Sequence, residues 1–200
     1  MTTRIITGLG LLALLFFALY FGGWIFSVLW VACVCIAMYE EFHVLSQCGH
    51  RPVAWPSWLA LIVAVPGYLL LTEVAGLTLL MLLIMFTMMA VSVVVIFRNK
   101  PKLEDLLMSL LPLFSIVLPG LCMLALTRIS PMAEQRAFIS LAFFIPVLGD
   151  SIAYFVGARF GRIKLVPEVS AKKTVEGAVA GLFGSMVAAV TIYLIAIMVS

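Results

Sequence analysis

Residues 149–177 read GDSIAYFVGARFGRIKLVPEVSAKKTVEG. The stretch holds five basic residues (Arg159, Arg162, Lys164, Lys172, Lys173) and three acidic ones (Asp150, Glu168, Glu176), out of 12 and 9 in the whole chain. The runs on either side are almost purely apolar. Two apolar runs joined by a charged interval read as two membrane helices connected at one face of a bilayer, since a spanning helix needs about 20 mainly apolar residues. A charge beside or inside such a helix is costly unless something pairs or binds it. The charged interval is therefore the candidate functional site, and the rest of the chain is what holds it.

Composition carries that reading outward. The chain is 65% hydrophobic and 10% charged, against roughly 45–50% and 25% in soluble domains. The fold class predicted is all-α: a polytopic transmembrane helix bundle forming a single membrane domain. Seven spans are expected, at about 5–21, 24–45, 55–72, 75–97, 104–127, 137–158 and 174–199, joined on one side by a functional loop 159–173. Gly22-Gly23, Arg51-Pro52, Thr72-Glu73, Arg98-Asn99-Lys100-Pro101 and Ser130-Pro131 supply the breaks. Residues 4–21 resemble a secretory signal, but no A-x-A site follows, so they are read as an uncleaved first span. Pro66, Pro112, Pro119 and Pro146 fall inside spans, where each frees a carbonyl that a neighbour or a polar recess must satisfy. Cys33, Cys35 and Cys122 lie in apolar spans as small hydrophobes, and Cys48 in a loop, so no disulfide framework is expected.

With the N-terminus in the cytoplasm, ten basic residues fall on the cytoplasmic side (Arg4, Arg51, Arg98, Lys100, Lys102, Arg159, Arg162, Lys164, Lys172, Lys173), while Arg128 and Arg136 fall opposite. That asymmetry is the positive-inside pattern. It places the charged interval with the nucleotide pool, in an inner (plasma) membrane whose simple layout suggests a bacterium. A basic face interleaved with aromatic residues on a soluble module is missing, so no nucleic acid partner is expected.

Within the interval, Asp150, Tyr154, Gly157 and Gly161 recur at helical steps, which predicts a shared face with Asp150 turned toward the bundle interior. Gly157 with Gly161, and Gly177, Gly181 and Ser185 in the last span, have the spacing that lets two membrane helices approach closely. Ser170-Ala171-Lys172-Lys173-Thr174 meets the start of the last helix. Free N–H groups, two lysines and two hydroxyls there suit a phosphate; equally, Ser170 or Thr174 suits a helix cap. Arg159, Arg162 and Lys164 suit lipid headgroups. Other patterns carry less. Gly8-Leu9-Gly10-Leu11-Leu12-Ala13 fits G-x-G-x-x-A but lies inside a span and follows no strand. Glu40, Glu41, His43, Cys48 and His50 match no zinc spacing, and Met81 to Met89 reads as packed or lipid-facing helix.

Gly149-Asp150-Ser151, Tyr154, Gly157, Gly161-Arg162 and then Val169-Ser170-Ala171-Lys172-Lys173-Thr174-Val175-Glu176-Gly177 resemble the phosphatidate cytidylyltransferase (CDP-diacylglycerol synthase) family. Its motifs carry a G-x-D-S or N-D followed by tyrosine, and S-P-x-K-T-W-E/Q-G. Here Ala171 stands at the usual proline and Val175 at the usual tryptophan. The resemblance covers the whole chain in layout and about thirty residues in detail. It implies a nucleotidyltransferase of phospholipid biosynthesis that joins CTP and phosphatidic acid into CDP-diacylglycerol and pyrophosphate, with Mg²⁺ as cofactor. It also implies roles. Asp150 and Lys173 would be catalytic, Asp150 also a metal ligand, and Ser151, Tyr154, Arg162, Ser170, Lys172, Thr174 and Glu176 would bind substrate. A homodimer stays open. Family members continue into a C-terminal signature rich in Lys, Asp and His-Gly-Gly, so the expectation is a shortened member with a thin metal site. Two other classes compete: a small transporter lined by Asp150, and a non-catalytic protein that binds anionic lipid through 159–173.

Overall fold

The computed structural model describes residues 16–18, 20, 22–168 and 170–199. Its helices are α1 (Gly23–Gln47), α2 (Trp55–Leu70), α3 (Glu73–Ile96), α4 (Leu103–Leu126), α5 (Met132–Phe160) and α6 (Val175–Val199). Five of them, all but α2, are long and apolar enough to cross a membrane. The chain is a helical membrane protein. α2 has 16 residues. The first expected span lies mostly outside the described residues, of which 16–18 and 20 are helical. Helices occupy the positions of the other expected spans, with ends shifted by a few residues. The largest shift is in α5, which starts at Met132 because the polar Glu134 and Gln135 continue the helix. Gly22 and Gly23 both have positive φ (59° and 50°), which glycine adopts without steric cost, and the expected turn sits there.

Contacts divide the chain into two compact units, Gly23–Ala125 and Leu126–Ser200 with the N-terminal segment through Gly22. In the first unit, Val34, Met38 and Phe42 of α1 pack with Ala60, Leu61 and Ala64 of α2, Leu83 of α3 and Leu113, Val117, Leu121 and Leu124 of α4. A π-turn interrupts α4 at Leu113–Val117, between two prolines, Pro112 and Pro119. There the Leu118 N–H bonds to the Leu113 carbonyl, five residues back. Lengthened pairing lets a helix pass a residue that lacks its own N–H. One side chain of the π-turn is polar: the Ser115 hydroxyl lies 2.8 Å from Glu41 Oε2 and 2.8 Å from the Leu111 carbonyl oxygen.

At one end of this unit sits a buried polar knot. Asp105, 6% exposed, accepts a hydrogen bond from the Arg51 N–H at 2.9 Å through Oδ1. Its other oxygen lies 3.9 Å from Arg98 Nη1, and Arg98 also donates to the Arg51 carbonyl. Ser109, fully buried, accepts from the Val53 N–H at 2.8 Å and donates to the Asp105 carbonyl at 2.5 Å. The α1–α2 connection is thus tied to the start of α4. Buried N–H groups must find partners, and here two side chains of α4 provide them.

The second unit is built on α5 against α6. Small residues set their approach. A Cβ placed on Gly181 would lie 2.9 Å from the Gly149 carbonyl oxygen and 2.8 Å from Ala153 Cβ. One on Gly177 would lie 2.7 Å from the Ala153 carbonyl oxygen and 3.0 Å from Gly157 Cα. Gly149, Ala153 and Gly157 therefore meet Gly177 and Gly181 backbone to backbone, with the Ser185 side chain against Gly149; the close approach expected from the spacing includes Gly157, Gly177, Gly181 and Ser185. Between the helices comes an element the spacing did not announce. β1 (Lys164–Val166) and β2 (Ser170–Thr174) form an antiparallel two-stranded ribbon.

Candidate functional site

The ribbon ends where α6 begins. Thr174, 5% exposed, accepts a hydrogen bond from the Gly177 N–H at 3.2 Å, which makes it the N-cap of α6 and satisfies one of the helix's free donors. The Val175 N–H bonds to the Ile163 carbonyl at 2.9 Å. In return, the Glu176 carboxylate accepts from the Ile163 N–H at 3.2 and 3.3 Å. Ile163 is held from both of its backbone groups. The segment leaving α5 is thus fastened to the first turn of α6.

Register decides how the lysines are shown. Lys164 pairs with Thr174 and Val166 with Ser170. One residue of β1, Leu165, therefore faces three of β2: Ala171, Lys172 and Lys173. Extra residues in one strand bulge out of the ribbon and re-aim their side chains. Lys172 and Lys173 occupy that bulge and are exposed, and Ser170 beside them is half-buried. Arg162 is exposed at the foot of the ribbon, and the Arg159 guanidinium lies 6.0 Å from the centre of the Phe160 ring.

Asp150 is elsewhere. Gly149, one residue earlier, is buried against Ser185 and the Gly181 carbonyl; Asp150, about 100° further round the helix, is exposed. Tyr154 shares that outer side, 67% exposed, with its ring edge-on to Phe155 at 5.6 Å. The shared face expected for Asp150, Tyr154, Gly157 and Gly161 is divided: the glycines turn to α6 and Thr174, and Asp150 and Tyr154 turn away. Close packing takes the residues without side chains, so the polar ones are displaced to the next face. The Ser151 hydroxyl donates to the Val147 carbonyl at 2.7 Å within α5. Thr174 lies beside Gly157 and Gly161. Asp150, seven residues before Gly157, is thus about 10 Å further along α5 than the cap. No hydrogen bond or ion pair joins Asp150 to either lysine among the described residues.

A charged ribbon and an exposed lysine pair at the mouth of two apolar helices suit a phosphate-bearing ligand at a membrane face. The profile of the Cytidylyltransferase family matches residues 2–199. The chain belongs to that family. The chain is also 37% identical, over 81 residues, to a phosphatidate cytidylyltransferase of Aquifex aeolicus (strain VF5), a match covering 40% of this chain and 30% of the relative. The aligned part thus spans less than a third of that relative's length. No solved structure matches the chain.

A divalent ion is the general companion of nucleotidyl transfer in this family. Among the described residues, no group of three or more His, Cys, Asp or Glu side chains could hold a metal ion. Glu40, Glu41, His43, Cys48 and His50 form no such group either. A lone carboxylate such as Asp150 shares Mg²⁺ only together with substrate phosphates and water. Among the described residues, the side chains present do not fit a resident ion. The sequence did not announce the Asp105 knot, because the Arg51 N–H that Asp105 binds stands 54 positions away. The signal available was an acidic Glu104-Asp105 pair opening an apolar span directly after a basic break.

Proposed function

We propose that the chain is a phosphatidate cytidylyltransferase that takes CTP and phosphatidic acid at the cytoplasmic face of a bacterial inner membrane. The observation that carries the proposal is the family match across residues 2–199, which includes the exposed lysine bulge at the start of α6. In the reaction, a phosphate oxygen of the lipid bonds to the α-phosphorus of CTP. The bond from that phosphorus to the oxygen bridging to the β-phosphate breaks, and pyrophosphate leaves with the electron pair.

Such transfers depend on positioning and on neutralising charge. Lys173, with Lys172, takes the departing pyrophosphate, and Ser170 donates a hydrogen bond to the same phosphates. Arg162 meets the lipid phosphate at the foot of the ribbon. Asp150 and Tyr154, exposed on α5 nearer the bilayer, act on substrate lying along that helix, Asp150 as hydrogen-bond acceptor. Ser151 completes that face. Thr174 and Glu176 are positioning residues, because their oxygens already hold the α6 cap and Ile163. Mg²⁺ would come with the nucleotide.

The test is conversion of labelled CTP to CDP-diacylglycerol by membranes carrying the chain. Product is expected only when phosphatidic acid is added, and pyrophosphate should appear in equal amount. Absence of product under these conditions overturns the proposal.

A further inference from the structure

A two-stranded ribbon alone is marginal in water and needs a third layer to cover it. On this ribbon β1 is exposed along its whole length. Leu165 and Val166 are 46% and 45% exposed, and Ile163 and Phe160, on the approach from α5, are each 63% exposed. Four apolar side chains thus stand uncovered within seven residues. Alternating with them are Arg159, Arg162 and Lys164, also exposed. The apolar group continues down the outer sides of both helices, through Phe155 on α5 and Val179 and Leu182 on α6, all exposed. Those faces belong to segments long and apolar enough to span a bilayer. What covers them covers the ribbon.

We infer that the segment Phe160–Val166 is an interfacial anchor, lying in the headgroup–acyl boundary of an anionic leaflet. Phe160, Ile163 and Leu165 enter the acyl region, and Arg159, Arg162 and Lys164 meet lipid phosphates. Apolar side chains seated below cations are how surface-lying elements hold a membrane, and basic residues beside a span draw anionic lipid. The occupant is the bilayer itself and not a protein partner, because the uncovered group is continuous with the spanning faces and the charged residues of the segment Arg159–Val166, Arg159, Arg162 and Lys164, are all positive. The anchor also fixes where the bulge sits: Lys172 and Lys173, opposite Leu165, are held at headgroup depth. The inference rests on the proposed function only for the side of the membrane it names.

The test uses the full chain with Cys33, Cys35, Cys48 and Cys122 replaced by serine, reconstituted in nanodiscs. Leu165→Cys and, separately, Ile163→Cys carry an environment-sensitive fluorophore, with Glu168→Cys at the ribbon tip as reference. At 163 and 165, emission at shorter wavelength and quenching by nitroxide lipids are expected, at a depth of about 5–10 Å below the headgroups. At 168, quenching by aqueous iodide should dominate. Arg159→Glu with Lys164→Glu should move the label at 165 outward in bilayers containing phosphatidylglycerol and leave it in place in phosphatidylcholine alone. Iodide quenching at 163 and 165 equal to that at 168 overturns the inference, as does a label that ignores both the charge reversal and the lipid. Neither readout needs turnover, so a chain inactive toward CTP still tests the anchor, and an active chain with a solvated ribbon still refutes it.

Discussion

At the scale of single residues, the site separates groups that can act from groups already engaged. The Lys172 and Lys173 side chains stand in a bulge with no hydrogen bond or ion pair among the described residues, whereas the Thr174 oxygen caps α6 and the Ser151 hydroxyl is turned onto its own helix. Lys173→Ala should therefore lower kcat/KM for CTP by about 10²-fold or more, the usual loss when one preorganised charge-stabilising group is removed. Thr174→Ala should instead cost about 1 kcal/mol of stability, as cap losses do, with Thr174→Ser restoring it. Initial rates with labelled CTP, together with thermal unfolding in detergent, separate the two effects. An unchanged rate in Lys173→Ala would remove the lysine from the reaction. The lysine pair was legible from sequence as basic residues before a helix. Its bulge was not, because SAKKT has neither the alternation nor the β-branched content that marks a strand.

At the scale of elements, two devices hold the fold, and one of them could be read in advance. The glycine spacing in α5 and α6 predicted a close pair because a missing Cβ is visible in the sequence. Gly181→Ala should destabilise by about 1–3 kcal/mol, since the added carbon has no room between Gly149 and Ala153. Gly76 in α3 is the control: a Cβ there meets nothing within 4 Å, so Gly76→Ala should be neutral or gain up to about 1 kcal/mol of helix propensity. Unfolding of both variants in one detergent checks the contrast. The Asp105 knot was not legible, because its hydrogen bonds join residues 54 and 56 positions apart. Ser109→Ala leaves the Val53 N–H buried without a partner and should cost about 1–3 kcal/mol. A smaller effect in denaturant titration would mean that water reaches that N–H.

At the scale of the whole molecule, the helices were legible because a bilayer demands length and apolarity and little else. The number of crossings rests on α2. Its 16 residues rise about 24 Å, short of the roughly 30 Å hydrocarbon layer. A short span can still cross by thinning the bilayer or by drawing flanking residues inward, and Trp55 at the first position of α2 is an interfacial anchor of the kind that permits it. If α2 crosses, the α1–α2 connection and the ribbon lie on one side and Arg128 on the other, which is the arrangement the basic residues favour. The Asp105 knot holds Arg51, Arg98 and the start of α4 at one end of their unit, so α2 and α3 leave from and return to the same face. Cys48 in the connection is exposed, and a cysteine at Glu168 reports the ribbon. In cells a membrane-impermeant maleimide should label neither until the membrane that holds the chain is opened, and then both. Labelling of one without the other in intact cells would set the lysine pair and the α1–α2 connection on different faces and overturn the topology the basic residues favour.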